Sequence, residues 1–173
     1  MTKNIMIDIE TLGTNYDSQV ISIGACVFNA EAEILKIFYV VIKLDDDTHV
    51  NVTPGTLKFW STQDLELFNL LTAEGSVNIM LALSQLSTWV DWEDTNVWAN
   101  GTKFDIGMLE SLYKTNDLVV PWKHNADRCM RTIKQFAGSI DIPFEGKPHH
   151  ALDDAIWQAQ YVAAACNKLG LKL

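Results

Sequence analysis

The sequence predicts an α/β layer fold on a mixed central sheet, and three observations carry that prediction. Strand-like runs rich in β-branched and aromatic residues fill residues 4–42. A later short strand, Asn96–Ala99, leads through Gly101-Thr102-Lys103 into a helical pattern. The chain closes on a long amphipathic stretch, His150 to Leu169. Antiparallel strands first, then helix alternating with strand, pack as layers around one sheet. No internal repeat, linker or low-complexity segment divides residues 1–173, so a single domain is expected.

The first strand is Asn4-Ile5-Met6-Ile7-Asp8-Ile9-Glu10, followed by Thr11-Leu12-Gly13. Residues i and i+2 of a strand share a face, so Asp8 and Glu10 point one way and Ile5, Ile7 and Ile9 the other. Thr14 to Ser18 is polar, and Val20 to Phe28 is a second strand in which Gly24 marks a bulge or a close approach. Asn29 to Glu33 reads as a turn and Ile34 to Ile42 as a third strand, making an antiparallel meander. Leu44 to Thr53 is a loop carrying Asp45-Asp46-Asp47, whose acids read as a solvated face. Thr53-Pro54 predicts a helix start with Thr53 as N-cap, and the helix contains Leu57, Phe59 and Trp60. Another helix starts near Ser61–Asp64, Gly75-Ser76 breaks the chain, and Val77 to Val90 follows helical spacing. Phe104, Met108, Leu109 and Leu112 form one helical stripe; Asn116 to Pro121 is a loop, Asp127 to Ala137 is predicted helical, and Gly138 to His149 is loop. The last helix buries Leu152, Ala155, Ile156, Ala159, Val162, Ala163 and Cys166.

Bulk properties narrow the function. The formal net charge is −9 and 48% of residues are hydrophobic, which argues for a globular domain and against charge-driven coating of nucleic acid. Bound divalent metals supply positive charge that a residue count omits, so a nucleic-acid enzyme stays open. No apolar run approaches the roughly 20 residues of a membrane span. Met1-Thr2-Lys3-Asn4 runs straight into the first strand, with no signal-peptide pattern. Cys26, Cys129 and Cys166 are widely spaced on apolar stretches, which suits thiols in a reducing cytoplasm.

Three stretches carry chemistry: Asp8-Ile9-Glu10, Asn100-Gly101-Thr102-Lys103-Phe104-Asp105, and His149-His150-Ala151-Leu152-Asp153-Asp154. Each has a plain structural reading. Asp8 and Glu10 suit an acidic turn, Thr102-x-x-Asp105 a capping box, and Asp153 and Asp154 favourable charges in a first helical turn. Together they read differently. Asp8, Glu10, Asp105 and Asp154 each sit near the end of a core element, where an open α/β sheet forms its crevice. Four acids there can hold two divalent ions, Mg²⁺ or Mn²⁺, roughly 3.5–4 Å apart, as phosphodiester hydrolysis requires. A histidine suits removal of a proton from the attacking water near neutral pH, and His149 precedes the helix that carries Asp154.

The order Asp-x-Glu-Thr, Asn-x-x-x-Phe-Asp, His-x-x-x-x-Asp resembles the three motifs of the DEDD exonuclease superfamily in its histidine-bearing (DEDDh) branch, and spans Asp8 to Asp154. The resemblance implies a ribonuclease H-like fold with helices on both faces of the sheet. It also implies 3′-to-5′ hydrolysis of a single-stranded DNA or RNA end, releasing nucleoside 5′-monophosphates. On those motifs Asp8, Glu10, Asp105 and Asp154 are the metal ligands and His149 is the general base; His150 is its neighbour, not the match. Small stand-alone phage and bacterial exoribonuclease-like members look most similar, in part through the paired aromatics Phe59-Trp60. Thr11 and Leu12 match positions that contact the terminal nucleotide in the family; Leu12, Trp60 and Phe104 are expected to stack on or wedge against bases, with Asn100 beside them. Lys103, Lys147, Arg128 and Arg131 are candidates for phosphate contacts. Related enzymes often form homodimers, although no interface is legible here. Two other readings stay open at this point: a catalytically silent module that binds nucleic-acid ends, and a phosphoesterase acting on a small nucleotide.

Overall fold

The computed structural model describes residues 3–44, 51–73 and 77–173. Three antiparallel strands come first: β1 (Lys3–Thr11), β2 (Val20–Phe28) and β3 (Ile34–Val41). Helices α1 (Pro54–Trp60), α2 (Leu65–Ala73) and α3 (Ile79–Trp89) lead to β4 (Thr95–Ala99) and α4 (Asp105–Thr115). Then come β5 (Asp127–Cys129), α5 (Met130–Ala137) and α6 (Ala151–Leu169). The sheet order is β3-β2-β1-β4-β5, with β4 parallel to both β1 and β5. This places β1 at the centre of a mixed sheet, flanked by a partner of each sense. No described helix is long and apolar enough to cross a membrane.

The period-two pattern of β1 divides the core. Ile5, Ile7 and Ile9 pack with Leu83, Leu86, Leu109 and Tyr113 on the α3 and α4 side. Met6 joins Cys26, Phe28, Trp98, Ala155, Ala159 and Val162 on the α6 side. A third cluster, Leu12, Ile21, Trp60, Leu67 and Leu71, lies under α1 and α2. Asp8 and Glu10 continue the Met6 side of the strand, toward α6.

Most element starts follow local chemistry. Asp64 Oδ1 accepts from the N–H groups of Glu66 and Leu67 and so caps α2. Asn78 caps α3, which begins at Ile79; Val77 is drawn into a bridge with Ile42 instead. Thr53 occupies the N-cap of α1 ahead of Pro54, but its hydroxyl pairs with that of Thr56 and caps no backbone N–H. The expected helix over 127–137 is a correction: Asp127–Cys129 pair with Val97–Ala99, and the helix begins only at Met130. Tertiary pairing overrides the helical pattern there. The acids at 45–47 and the break at 75–76 fall outside the described residues.

Helix α6 lies against the sheet at main-chain distance. Its face of Ala151, Ala155, Ala159 and Ala163 is fully buried, and Gly24 of β2, opposite Asp8 in the ladder, faces its first turn. A Cβ on Gly24 would stand 2.3 Å from both the carbonyl carbon of Ala151 and the nitrogen of Leu152. The missing methyl therefore sets how closely α6 approaches Asp8. Gly24→Ala is expected to cost about 2 kcal/mol as an overpacking change, read as a lower urea midpoint at unchanged slope. An unchanged midpoint would show that the first turn of α6 moves aside freely.

Candidate active site

Strand β1 delivers two carboxylates to the α6 side. Asp8 Oδ1 accepts a 2.8 Å hydrogen bond from Gln158 Nε2 of α6, and Glu10, paired with Ser22 across the ladder, is 9% exposed. Asp105 opens α4 and is buried. Its Oδ1 accepts from the N–H of Ile9 at 3.2 Å, so it is tied to β1 across the fold. The capping-box reading of Thr102 does not hold, because the N-cap residue of α4 is Phe104. In the first turn of α6 the adjacent acids separate. Asp153 Oδ2 accepts from the N–H of Lys147, whereas Asp154 Oδ2 accepts from the N–H of His149 at 2.8 Å.

His149 has φ 64°, a left-handed conformation uncommon outside glycine and asparagine. Its ring stands edge-on to Phe59, with centroids 4.9 Å apart. One donor atom from each of Glu10, His149 and Asp154 lies within 4.8 Å of the others. His150 takes another direction: its ring packs on Tyr39 at 4.4 Å and its Nδ1 faces the N–H of Asp153. Asp8, Glu10, Asp105, His149 and Asp154 line one cavity of about 270 Å³, together with Ile9, Asn100, Phe104, Arg131 and Gln158.

The acids are crowded and poorly solvated. Burial, then the charges of Asp105 and Glu10, raises the Asp8 carboxyl well above the usual range. Glu10 is pushed up to about 9 by burial and then by Asp154 and Asp105. Asp105 rises to about 7 through burial, held back by the N–H groups of Ile9 and of its own residue and by Arg131. Asp154 is raised by burial, against the opposing N–H of His149. None of the ion pairs among the described residues reaches these four carboxyls. Buried polar atoms beside them also lack partners: Gln158 Oε1, and Ser22 Oγ next to Glu10 in the ladder. An all-carboxylate donor set with uncompensated charge and spare polar atoms fits a hard divalent cation.

A second cavity, about 320 Å³, adjoins the first and shares Ile9, Glu10 and Phe104 with it. Thr11, Thr14, Phe59 and Trp60 complete most of its wall. Thr11 Oγ1 donates to the carbonyl of Gly13 at 2.6 Å, and the Thr11 carbonyl accepts from Trp60 Nε1 at 2.9 Å. Trp60 is thus anchored and only 2% exposed, while Phe59, 39% exposed, offers the open aromatic face. Leu12, 6% exposed, lies in the apolar cluster with Ile21 and Trp60 and lines neither cavity, which leaves little surface for the expected wedge contact. Asn100 Oδ1 accepts from Arg131 Nε at 3.4 Å. Of the other basic candidates, Lys147 pairs with Glu66 at 3.7 Å and Arg128 donates to the carbonyls of Asn125 and Asp127. Gln158 went unrecognised in the sequence, although a polar residue one turn beyond Asp154 on the buried face of α6 was a usable signal.

No curated protein matches the sequence. The nuclease domain of 3′hExo, a DEDDh family member solved with bound rAMP, is 13% identical with a TM-score of 0.67; the match covers 99% of this chain and 94% of that one. Escherichia coli exonuclease I in complex with a dA16 oligonucleotide is 12% identical with a TM-score of 0.75, over 98% of this chain and 42% of that one. The zinc-bound form of the exonuclease I–ssDNA complex is 13% identical with a TM-score of 0.73, over 96% of this chain and 40% of that one. The chain therefore spans about two fifths of the exonuclease I chains it matches. These likenesses, at 12–13% identity, establish a ribonuclease H-like fold. The family model described as the 3′-5′ exoribonuclease Rv2179c-like domain matches residues 3–166, nearly the whole chain, and the protein belongs to that family.

Proposed function

We propose that this protein removes nucleotides from the 3′ end of single-stranded RNA, releasing nucleoside 5′-monophosphates, with Mg²⁺ or Mn²⁺ held by Asp8, Glu10, Asp105 and Asp154. The observation that carries this reading is the convergence of these carboxylates and His149 in one cavity that opens onto an apolar, aromatic-walled neighbour. The acid cavity takes the scissile phosphate and the aromatic one the terminal base. The family description favours RNA, while the solved neighbours hold rAMP in one case and DNA oligonucleotides in others.

His149 takes a proton from the attacking water as its oxygen bonds to phosphorus. The bond to the upstream O3′ breaks, and that oxygen gains a proton from solvent to become the new 3′-hydroxyl. The edge-on contact with Phe59 holds the imidazole in place beside Glu10 and Asp154. Gln158 and the N–H groups of Ile9 and His149 fix three of the four carboxylates before substrate arrives, so little reorganisation is left for the reaction. When bound, the divalent ion neutralises phosphate charge and supplies Lewis acidity; four carboxylates offer oxygens for two such ions. Phe59 and Phe104 give the terminal base a sequence-tolerant surface, an interaction of about 1–3 kcal/mol per stacked base.

Matched RNA and DNA oligomers labelled at the 5′ end, incubated with Mg²⁺ or Mn²⁺, test this directly. A ladder shortening from the 3′ end is expected, faster on RNA. His149→Ala should lower kcat by about 10²–10⁴-fold, the usual contribution of a general base, and Asp8→Asn should abolish metal-dependent cleavage. Retained binding with no cleavage of either oligomer by the parent protein would overturn the enzymatic reading.

Stability should report the ion independently of turnover. Glu10 titrates near 9 when folded, against an ordinary 4.5, so without metal the folded state keeps a proton that the unfolded chain releases. That contribution is complete below about pH 4.5 and is lost as pH rises through 9. Melting in EDTA should therefore fall from pH 6 to pH 9. The Tm gain from Mn²⁺ should be larger at pH 8.5 than at pH 6, and Glu10→Gln should flatten the metal-free slope. A Tm increment independent of pH would remove these acids from the metal site.

A further inference from the structure

His149 reaches the acid cavity from an awkward backbone position. Residues 138–150 form no helix or strand, and His149 sits near their end, one residue before the N-cap of α6. Lys147, Pro148, His149 and His150 close a turn in which the His150 N–H donates to the Lys147 carbonyl at 3.2 Å. Proline in the second position and a positive φ in the third follow the pattern of a type II turn, whose third position normally belongs to glycine. His149 occupies it at φ 64°. A side chain there is strained, and it persists only where the surroundings over-determine the backbone.

Asp153 supplies that constraint. It belongs to the first turn of α6, yet its side chain is only 28% exposed and turns back onto the preceding chain. Its Oδ2 accepts from the N–H of Lys147, the first residue of the turn, at 2.9 Å. The same oxygen lies 3.4 Å from Nδ1 of His150, the last residue, and that nitrogen is also 3.4 Å from the Asp153 nitrogen. One carboxylate thus touches both ends of the turn that carries His149. The chain just before the turn is shaped to admit it: Gly146 has φ +114°, and a Cβ there would stand 2.5 Å from Asp153 Oδ2. The His150 ring packs on Tyr39 and so fixes the far end of the turn to β3. Asp153 itself lines neither the acid cavity nor the aromatic one.

We propose that Asp153 is a positioning residue for the general base: by clamping the Lys147–His150 turn it holds His149 in its left-handed conformation, with the imidazole beside Glu10 and Asp154. The role rests on the exonuclease reading above and separates Asp153 from its neighbour Asp154. An acid that merely complemented the helix dipole would act through its charge. A clamp acts through an acceptor oxygen, which asparagine keeps.

Steady-state cleavage of a 5′-labelled RNA oligomer with Mn²⁺ tests the clamp. Asp153→Ala should lower kcat by about 10–100-fold, the scale of a misplaced reacting group, with KM for the oligomer unchanged. Asp153→Asn should recover most of that loss. In a His149→Ala background, Asp153→Ala should cost nothing further, because the group it positions is gone. The Lys147 amide should exchange slowly with deuterated solvent in the parent and in Asp153→Asn, and fast in Asp153→Ala. An unchanged kcat in Asp153→Ala, an equal loss with and without His149, or an asparagine variant no better than alanine would overturn the role. So would a Lys147 amide that exchanges fast in the parent, a result that needs no turnover. A parent that protects Lys147 yet cleaves no oligomer would instead overturn the exonuclease reading.

Discussion

Four carboxyl groups are forced together in a buried crevice, and the rest of the structure serves to keep them there. Each resists the arrangement, because burial and its neighbours both favour the neutral form. The fold answers with fixed donors: Gln158 on Asp8, the Ile9 N–H on Asp105, and the His149 N–H on Asp154. Among the described residues, the positive neighbours that favour their ionised form are Arg131 beside Asp105 and the two histidines beside Asp154, which do not offset the burial. This imbalance is stored in the folded chain, and a bound divalent cation would relieve it.

The same imbalance explains how a strongly acidic protein can handle a polyanion. Among the described residues, four of its lysines are held in surface pairs, such as Lys123 with Asp94 and Lys3 with Asp91. Such pairs contribute little to stability. In the proposed function, recognition would depend on a few local features, namely the crevice and the aromatic walls of Phe59 and Phe104. Stacking surfaces accept any base, which suits processing of ends without regard to sequence.

Much of this was legible in the sequence, for identifiable reasons. β1, β2 and β3 declared themselves through β-branched runs, and α6 through its alanine-rich apolar face, because each pattern is long enough to reveal its period. β5 did not, since three residues carry no period and its pairing with β4 is a tertiary event. Asp8, Glu10, Asp105, His149 and Asp154 were found by motif order, and they meet in one cavity. Local chemistry alone was ambiguous for Asp105, where a capping box and a contact with β1 use the same residue. Adjacent aromatics were harder still. Phe59 and Trp60 differ by about 100° around a helix, so the sequence does not say which one faces the cavity. Leu12, expected from its motif position to meet the terminal nucleotide, is core because α1 and α2 fold over it.

The contact between Gly24 and α6 also bears on how this site can change over evolutionary time. Asp8 and Asp154 belong to layers separated there by main chain alone, so their spacing has no side-chain cushion to absorb drift. Elsewhere in a core, a lost methylene can be offset by a gained one across the gap. At this point no such exchange exists, because there is no side chain on the strand to trade. The spacing of these two carboxylates is thus keyed to a dimension of the polypeptide backbone itself.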